Sequence, residues 1–322
     1  MKKWLLLLSW LCLVFWPNQR VDAQGAGFTV TPQITAAQTG GNLGWFNLLV
    51  KPGRQESLPV VVANQSDQTK TLHLQLTNAY TQPNGQVGYD PNTHQRIKAQ
   101  TSLTAIGSKP VTVELAPHSG KTVTFTVTPP AFSGQVLGAI YTQEQTPPSK
   151  ASASGFAITN QFAMVVAVAM QTSTTRTAPQ LTLAKVLPTT KQIVAHLQNP
   201  APTLFGKLTL KSSVTLNGQV VLTQTDHNYA MAPNSDLAYQ LTPKQTLVPG
   251  HYQLVIEATA GSKKWHLTKS FTIAQPVIST TPLKPAPSKS NYTWAMGLAI
   301  ILALVIGILI GRKRHSGGKT NA

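Results

Sequence analysis

The sequence predicts an all-β protein, with two immunoglobulin-like β-sandwich domains in tandem and one transmembrane helix near the C-terminus. Short runs alternate apolar and polar residues at period two, and Pro, Gly and Asn turns separate them. Long helical periodicity is missing from residues 24–291. An uninterrupted apolar run lies near the C-terminus and is just long enough to cross a bilayer core.

Residues 1–23 are predicted to be a cleaved signal peptide. Lys2 and Lys3 precede an apolar stretch over 4–16, and Val21-Asp22-Ala23 supplies a small residue at the cleavage position. The stretch is short for a membrane span, which favours cleavage over an uncleaved anchor. We therefore expect the mature chain to begin at Gln24.

The first sandwich is predicted over 24–145. Its strands are expected at 28–31, 45–50, 58–63, 71–77, 111–115, 123–127 and 135–141. About seven short strands in some 120 residues are typical of an immunoglobulin-like sandwich. Pro59 lies inside one of them, which predicts an edge position or a bulge.

The second sandwich is predicted over 146–274. It would open with the apolar stretch 156–170, as a buried strand pair or one long strand. Asn217-Gly218 predicts a tight hairpin turn. Further strands are expected at 181–186, 192–197, 207–216, 219–223, 247–258 and 265–273.

Residues 275–291 are rich in proline and predict a stalk, followed by a membrane span over 292–311 and a basic tail over 312–322. Tyr292 and Trp294 suit one membrane interface, and basic residues suit the other. These basic residues are Arg312, Lys313 and Arg314. The positive end is expected to be cytoplasmic, so the protein would be a single-pass cell-membrane protein with an extracellular N-terminal ectodomain.

Composition narrows the function. Cys12, in the signal peptide, is the only cysteine, which excludes disulfides, thiol catalysis and thiolate zinc sites from the mature chain. Residues 24–291 carry 19 Lys and Arg against 8 Asp and Glu, a net charge of +11. The excess is scattered, which predicts affinity for anionic wall polymers; an exported chain without a basic helix is not expected to bind nucleic acid.

No motif indicates an enzyme. Gly-x-Ser-x-Gly and His-Glu-x-x-His are both absent from the sequence, and the eight acidic residues of 24–291 are widely spaced. Asp90, Asn92 and His94 lack the later ligands and the Gly of a calcium loop. We therefore expect no catalytic residues, no metal and no cofactor, although spacing alone leaves paired carboxylates for glycoside cleavage open.

The long loop over 80–110 is the best candidate for recognition. Long loops on rigid sandwiches often carry binding residues. Tyrosine with Arg or Lys suits sugar rings and anionic groups, and the alternative is a loose hairpin with solvated charges. The candidate ligand-binding residues are Tyr80, Tyr89, Arg96 and Lys98.

The order of motifs resembles the WxL-interacting protein family of Gram-positive surface gene clusters. In the first domain the similar stretches are FTVTP at 28–32, WFNLLVKPG at 45–53, VANQS at 62–66, NA at 78–79 with NG at 84–85, and FSGQVLG at 132–138. In the second they are GFAITN at 155–160, LQNP at 197–200, MAPNS at 231–235 and LVPGHY at 247–252. Each motif is weak alone, but their order together with a single C-terminal span is specific.

The resemblance implies a non-enzymatic surface protein. It would bind cell-wall peptidoglycan through the first domain, partner with secreted WxL-domain proteins, and contact host matrix proteins through the second. The alternatives are a pure host adhesin without wall affinity, and a wall hydrolase with a cryptic site. The family implies no catalytic residues that could be assigned to positions of this chain.

Overall fold

The computed structural model describes residues 25–92, 99–145 and 161–275, together with 298, 301–303 and 305–306. The chain divides into two compact units, Met1–Ala274 and Gln275–Ala322. The predicted signal peptide lies outside the described residues. The described part is dominated by β-strands, so the prediction of an all-β fold is confirmed there.

The first unit opens with a sandwich of two sheets. Glu56–Asn64 alternates strictly between buried and less buried residues, because one face of its sheet points into the core. One short helix, α1 (Leu103–Ile106), lies in the long segment that the sequence predicted to be a loop. The strands are β1 (Phe28–Pro32), β2 (Phe46–Leu49), β3 (Glu56–Asn64), β4 (Lys70–Asn78), β5 (Tyr80–Thr81), β6 (Val87–Gly88), β7 (Val111–Leu115), β8 (Gly120–Val127), β9 (Gln135–Glu144) and β10 (Ala163–Gln171).

The two sheets have the orders β1-β3-β8 and β2-β10-β9-β4-β7, while β5 and β6 form a separate hairpin. Leu58 and Phe125 from the first sheet meet Leu74 and Ile140 from the second, and all four are fully buried. Burying a side chain of this size stabilises the fold by about 1.5–3 kcal/mol. The core therefore lies between the sheets.

β10 differs most from the sequence-based expectation. The sequence assigned its residues to the start of the second domain, but β10 pairs with β9 antiparallel and with β2 in parallel, inside the first sandwich. Val166, Val168 and Met170 join the core of that sandwich. A local pattern shows that a strand is present but carries no information about its distant partner, which explains the difference.

The edge position or bulge predicted for Pro59 is wrong, because β3 is the central strand of its sheet and pairs with β8 through Pro59 and Thr124 without a register shift. The Pro59 carbonyl accepts a hydrogen bond from Gln33 N at 2.8 Å, one position past the last β1–β3 pair at Pro32 and Val60. Proline has no backbone N–H. The N–H group that Pro59 lacks would face β1, at the position where the pairing of β3 with β1 ends.

The second sandwich has sheets of order β11-β12-β15 and β14-β13-β16-β17. Tyr239, Leu210 and Ile256 are fully buried between them. The hairpin predicted at Asn217-Gly218 is present, with both residues at positive φ. The strands are β11 (Thr182–Pro188), β12 (Ile193–Asn199), β13 (Phe205–Leu216), β14 (Gln219–Met231), β15 (Ser235–Leu241), β16 (Gly250–Ala260) and β17 (Lys263–Ile273).

In the second unit, the described residues 298, 301–303 and 305–306 are helical. No helix formed by the described part of the chain is both long and apolar enough to cross a membrane. The predicted interface residues of the span lie outside the described residues: Tyr292, Trp294, Arg312, Lys313 and Arg314.

Candidate functional site

β10 is apolar on both of its faces. Val166, Val168 and Met170 point into the core, while Val165, Ala167 and Ala169 occupy the opposite, outer face. The outer face of an antiparallel sheet is usually polar, because it meets water. Val165 is 43% exposed, so this apolar face is only partly covered.

The neighbouring strand β9 extends this face. Leu137, Ala139 and Tyr141 pair directly with Ala169, Ala167 and Val165, and paired residues point to the same side of a sheet. The outer faces of β9 and β10 form the floor of a cavity. Side chains from other segments line its sides, and its volume is about 370 Å³. We call this the apolar shelf, and its side chains are Trp45, Tyr89, Leu137, Val165, Ala167, Ala169 and Leu204.

A second cavity of about 400 Å³ continues from the shelf, and Gln135 and Leu204 line both. Its lining is rich in hydroxyl and amide groups. Arg176 is the one charged side chain that lines either cavity among the described residues. We call this second part the polar cleft, and its polar side chains are Asn47, Gln135, Gln171, Thr174, Thr175, Arg176, Thr177 and Thr203. Shelf and cleft together form the groove.

Both sandwiches build the groove. The loop after β12 brings Pro202 against Gly134, which has a φ of +76°. A Cβ on Gly134 would lie 2.3 Å from the Pro202 carbonyl oxygen, so only glycine permits this approach. The Gln135 N–H donates to that same oxygen at 2.7 Å, which ties the start of β9 to the second sandwich.

The β5–β6 hairpin forms a second tie between the sandwiches. Thr81 Oγ1 accepts a hydrogen bond from Ala232 N at 3.0 Å and lies 2.7 Å from Ser235 Oγ. Ala230 N donates to the Gly85 carbonyl at 2.7 Å. Thr81 and Ser235 are fully buried, so these bonds are shielded from competing water. Tyr89 directly follows this hairpin and is held over the shelf by it.

The predicted binding residues are not brought together as one cluster. Tyr89 lines the shelf, and burial raises the pKa of its hydroxyl. Tyr80 lies over Gly88 within the hairpin and does not line the groove; burial first, and then the charge of Asp90, raise the pKa of Tyr80. Arg96 and Lys98 lie outside the described residues. Ligand binding by all four stays a prediction.

Sequence reasoning missed Trp45, Val165 and Arg176 as groove residues. One signal could have pointed to part of the site: residues 163–170 carry no polar side chain on either face of the strand. A strand without polar alternation indicates cover on both sides. The position of Arg176, in an irregular segment after β10, has no such signal.

Carboxylates do not gather at the groove. Neither cavity has Asp or Glu among its described lining residues. Within the residues that the structure describes, no group of three or more His, Cys, Asp and Glu is placed to hold a metal ion. The groove thus offers hydroxyls, amides, aromatic rings and one guanidinium.

Two family models match adjacent parts of the chain. Residues 28–144 match the peptidoglycan-binding domain of the WxL Interacting Protein family, and residues 153–281 match its host-binding domain. The chain belongs to the WxL-interacting protein family. The resemblance read from the sequence motifs is therefore confirmed. In this WxL-interacting protein, β10 falls in the range of the host-binding model although it completes the sheet of the first sandwich.

No curated protein matches this WxL-interacting protein. Solved structures with some similarity include the CupB2 chaperone of Pseudomonas aeruginosa, with 13% identity, a TM-score of 0.26, and coverage of 69% of this chain and 93% of that one. Another is the Salmonella enterica SafA pilin in complex with the SafB chaperone, with 11% identity, a TM-score of 0.28, and coverage of 70% and 98%. The family assignment rests on the two family models and not on these structures.

Proposed function

We propose that this protein is a non-enzymatic surface protein of a Gram-positive bacterium that binds wall peptidoglycan and a host protein. The observation that carries the proposal is the match of residues 28–144 and 153–281 to a peptidoglycan-binding and a host-binding domain of one family. A groove whose described lining holds no carboxylate is in keeping with binding. The same lining gives the alternative of a wall hydrolase no support.

The proposal includes a membrane anchor. The apolar run over 292–311, with the basic tail 312–322 behind it, supports a single span with the tail in the cytoplasm. The signal peptide over 1–23 would direct the export of residues 24–291. A tether holds the sandwiches at a high local concentration near the wall, so modest affinities suffice.

WxL-domain surface proteins are the proposed protein partners, since the family takes its name from this interaction. The net charge of +11 over residues 24–291 supports an additional, non-specific attraction to anionic wall polymers. That attraction should fall as salt rises, whereas specific recognition should persist.

Sedimentation of the purified full chain with insoluble peptidoglycan tests the wall half of the proposal. We expect co-sedimentation that saturates and survives at about 0.15 M ionic strength, where exposed charges are screened beyond about 8 Å. Sedimentation no greater than that of a neutral β-sandwich protein would overturn it. Binding to immobilised matrix proteins without wall binding would identify a pure host adhesin, and release of soluble muropeptides would identify a hydrolase.

Sidedness is tested on whole cells that carry distinct epitope tags after residue 24 and at the C-terminus. Added protease should remove the N-terminal tag and leave the C-terminal tag intact. The reverse result would contradict the proposed orientation.

A further inference from the structure

The apolar shelf is buried at Leu137 and Ala169, where Trp45 and Tyr89 pack against it, and is exposed at Val165 and Leu204. Val165 is 43% exposed and Leu204 is 41% exposed. Contiguous apolar surface on a protein surface usually marks a binding site, and grooves at domain interfaces are common places for one. The exposed end of the shelf is therefore a candidate binding surface.

The chemistry of the groove favours a saccharide over a polypeptide. A pyranose ring has C–H groups on its faces, and the electron-rich faces of Trp45 and Tyr89 attract such groups. A peptide backbone would bring N–H and C=O groups onto a floor of valine, alanine and leucine side chains that cannot pair with them. The hydroxyls and amides of the adjoining cleft match the hydroxyl and acetamido groups of a sugar.

Arg176 adds a charge requirement to the site. It lines the polar cleft, and no carboxylate among the described residues lines the cleft with it. A guanidinium prefers a carboxylate partner, which it can bind through two parallel hydrogen bonds. The floor from Val165 to Gln171 is about 20 Å long at about 3.3 Å per residue, so one ligand can contact both shelf and cleft.

We infer that the groove binds a carboxylate-bearing saccharide of peptidoglycan, with a sugar ring on the apolar shelf and a stem-peptide carboxylate at Arg176. This inference rests on the proposed peptidoglycan binding and locates it. It also assigns the site to both family domains together, because Arg176 and Leu204 lie in the host-binding range while Trp45 and Tyr89 lie in the peptidoglycan-binding range.

The test compares groove variants with matched controls in the full chain. Arg176→Gln removes the cleft charge, and Arg54→Gln makes the same change at a residue that lines neither cavity. Val165→Gln places a polar chain on the shelf, and Val220→Gln does so at a 59% exposed position of β14. Each protein is titrated against intact peptidoglycan and against peptidoglycan whose stem-peptide carboxylates have been converted chemically to neutral amides.

Arg176→Gln should weaken binding to intact peptidoglycan about tenfold, and conversion of the stem-peptide carboxylates to amides should do the same to the unchanged protein, because both remove one charge-assisted contact. The two effects should not add, since each removes the same pair. Val165→Gln should weaken binding to both materials, while both control variants bind like the unchanged protein.

Unchanged binding by both groove variants, with intact binding by the parent protein, would overturn this inference and leave the proposed function standing. Groove variants that keep peptidoglycan binding but lose a protein partner would overturn it in favour of a polypeptide ligand. Failure of the parent protein itself to bind peptidoglycan would overturn the proposed function. Thermal unfolding of each variant checks that the fold is retained.

Discussion

Two buried asparagines, Asn64 and Asn199, end the central strand of the three-stranded sheet in each sandwich. Asn199 Nδ2 donates to the carbonyls of Thr203 and Ala232 at 2.8 and 2.9 Å, and its Oδ1 accepts from Ala201 N at 3.2 Å. Asn64 is 2% exposed and closes the equivalent turn. One amide side chain thus pairs several backbone groups, some of them fully buried.

Asn199→Ala should lower the free energy of unfolding by about 2–4 kcal/mol, because the buried Ala201 N–H and the Thr203 carbonyl lose the amide partner and the Ala232 carbonyl keeps only the Ser235 hydroxyl. Urea unfolding measures the change. The exposed Asn42, whose Oδ1 accepts a bond from Gly44 N, is the matched control, and Asn42→Ala should change stability by less than about 0.5 kcal/mol. Equal losses for both variants would contradict this role of Asn199.

Because its pKa is raised, we expect Tyr239 to make the free energy of unfolding fall at alkaline pH. Burial, and then its 2.6 Å hydrogen bond to Asp226, raise the pKa of Tyr239 above its ordinary value of 10.0. The unfolded tyrosine therefore loses its proton first as pH rises. The stability that this shift contributes is fully present below about pH 10 and is lost above it.

Tyr239→Phe should flatten the fall in unfolding free energy between about pH 9 and 12. At neutral pH the same variant should be about 1–3 kcal/mol less stable, because Asp226 loses a donor. Urea unfolding across this pH range gives both quantities. An unchanged alkaline slope would show that other groups control the decline.

At the scale of the element, β10 decides whether the first sandwich can form. It lies between β2 and β9 and supplies Val166, Val168 and Met170 to the core. Without β10, the sheet would lose the backbone hydrogen bonds that join β10 to β2 on one side and to β9 on the other. Its position after residue 145 makes the matched range 28–144 an incomplete folding unit.

A chain that ends at residue 145 should therefore fail to show a cooperative urea transition, whereas a chain that ends at residue 178 should unfold cooperatively. Each buried core side chain of β10 contributes about 1.5–3 kcal/mol, and a small domain has only about 5–15 kcal/mol of net stability. Circular dichroism during urea titration checks both chains. Cooperative unfolding of the shorter chain would contradict the assigned role of β10.

At the scale of the whole described body, contacts between the sandwiches set the width of the groove. Gly85 has a φ of +76°, and a Cβ there would lie 2.2 Å from the Tyr229 ring of the second sandwich. This close approach lets the β5–β6 hairpin dock. Shelf and cleft depend on it, since their walls come from both sides.

Gly85→Ala should separate the sandwiches at this contact, raise the radius of gyration in small-angle scattering, and split thermal unfolding into two transitions. Gly53→Ala is the control, because Gly53 has the same φ of +76° and a Cβ there would meet no atom within 4 Å. Both variants should share the backbone strain of about 1 kcal/mol or more. The same scattering profile for both would contradict the importance of hairpin docking.

Period-two patterns and turn residues were enough to predict most strands, the Asn217-Gly218 hairpin and the all-β class, because these signals are local. The family motifs were enough for membership of the WxL-interacting protein family. The sequence also pointed to Tyr89, which lines the groove. It could not point to Trp45 or Arg176, because the groove they line depends on partners far apart in the chain.

The sequence by itself determined where strands form, because alternation records which side chains face a core. Only the tertiary structure decided that β10 belongs to the first sandwich and that its second apolar face floors a groove. Strand pairing depends on distant residues: Val168 pairs with Gly138 on one side and with Phe46 on the other. No local pattern encodes such a choice, since an apolar strand can satisfy its backbone in any sheet whose edge is open to it.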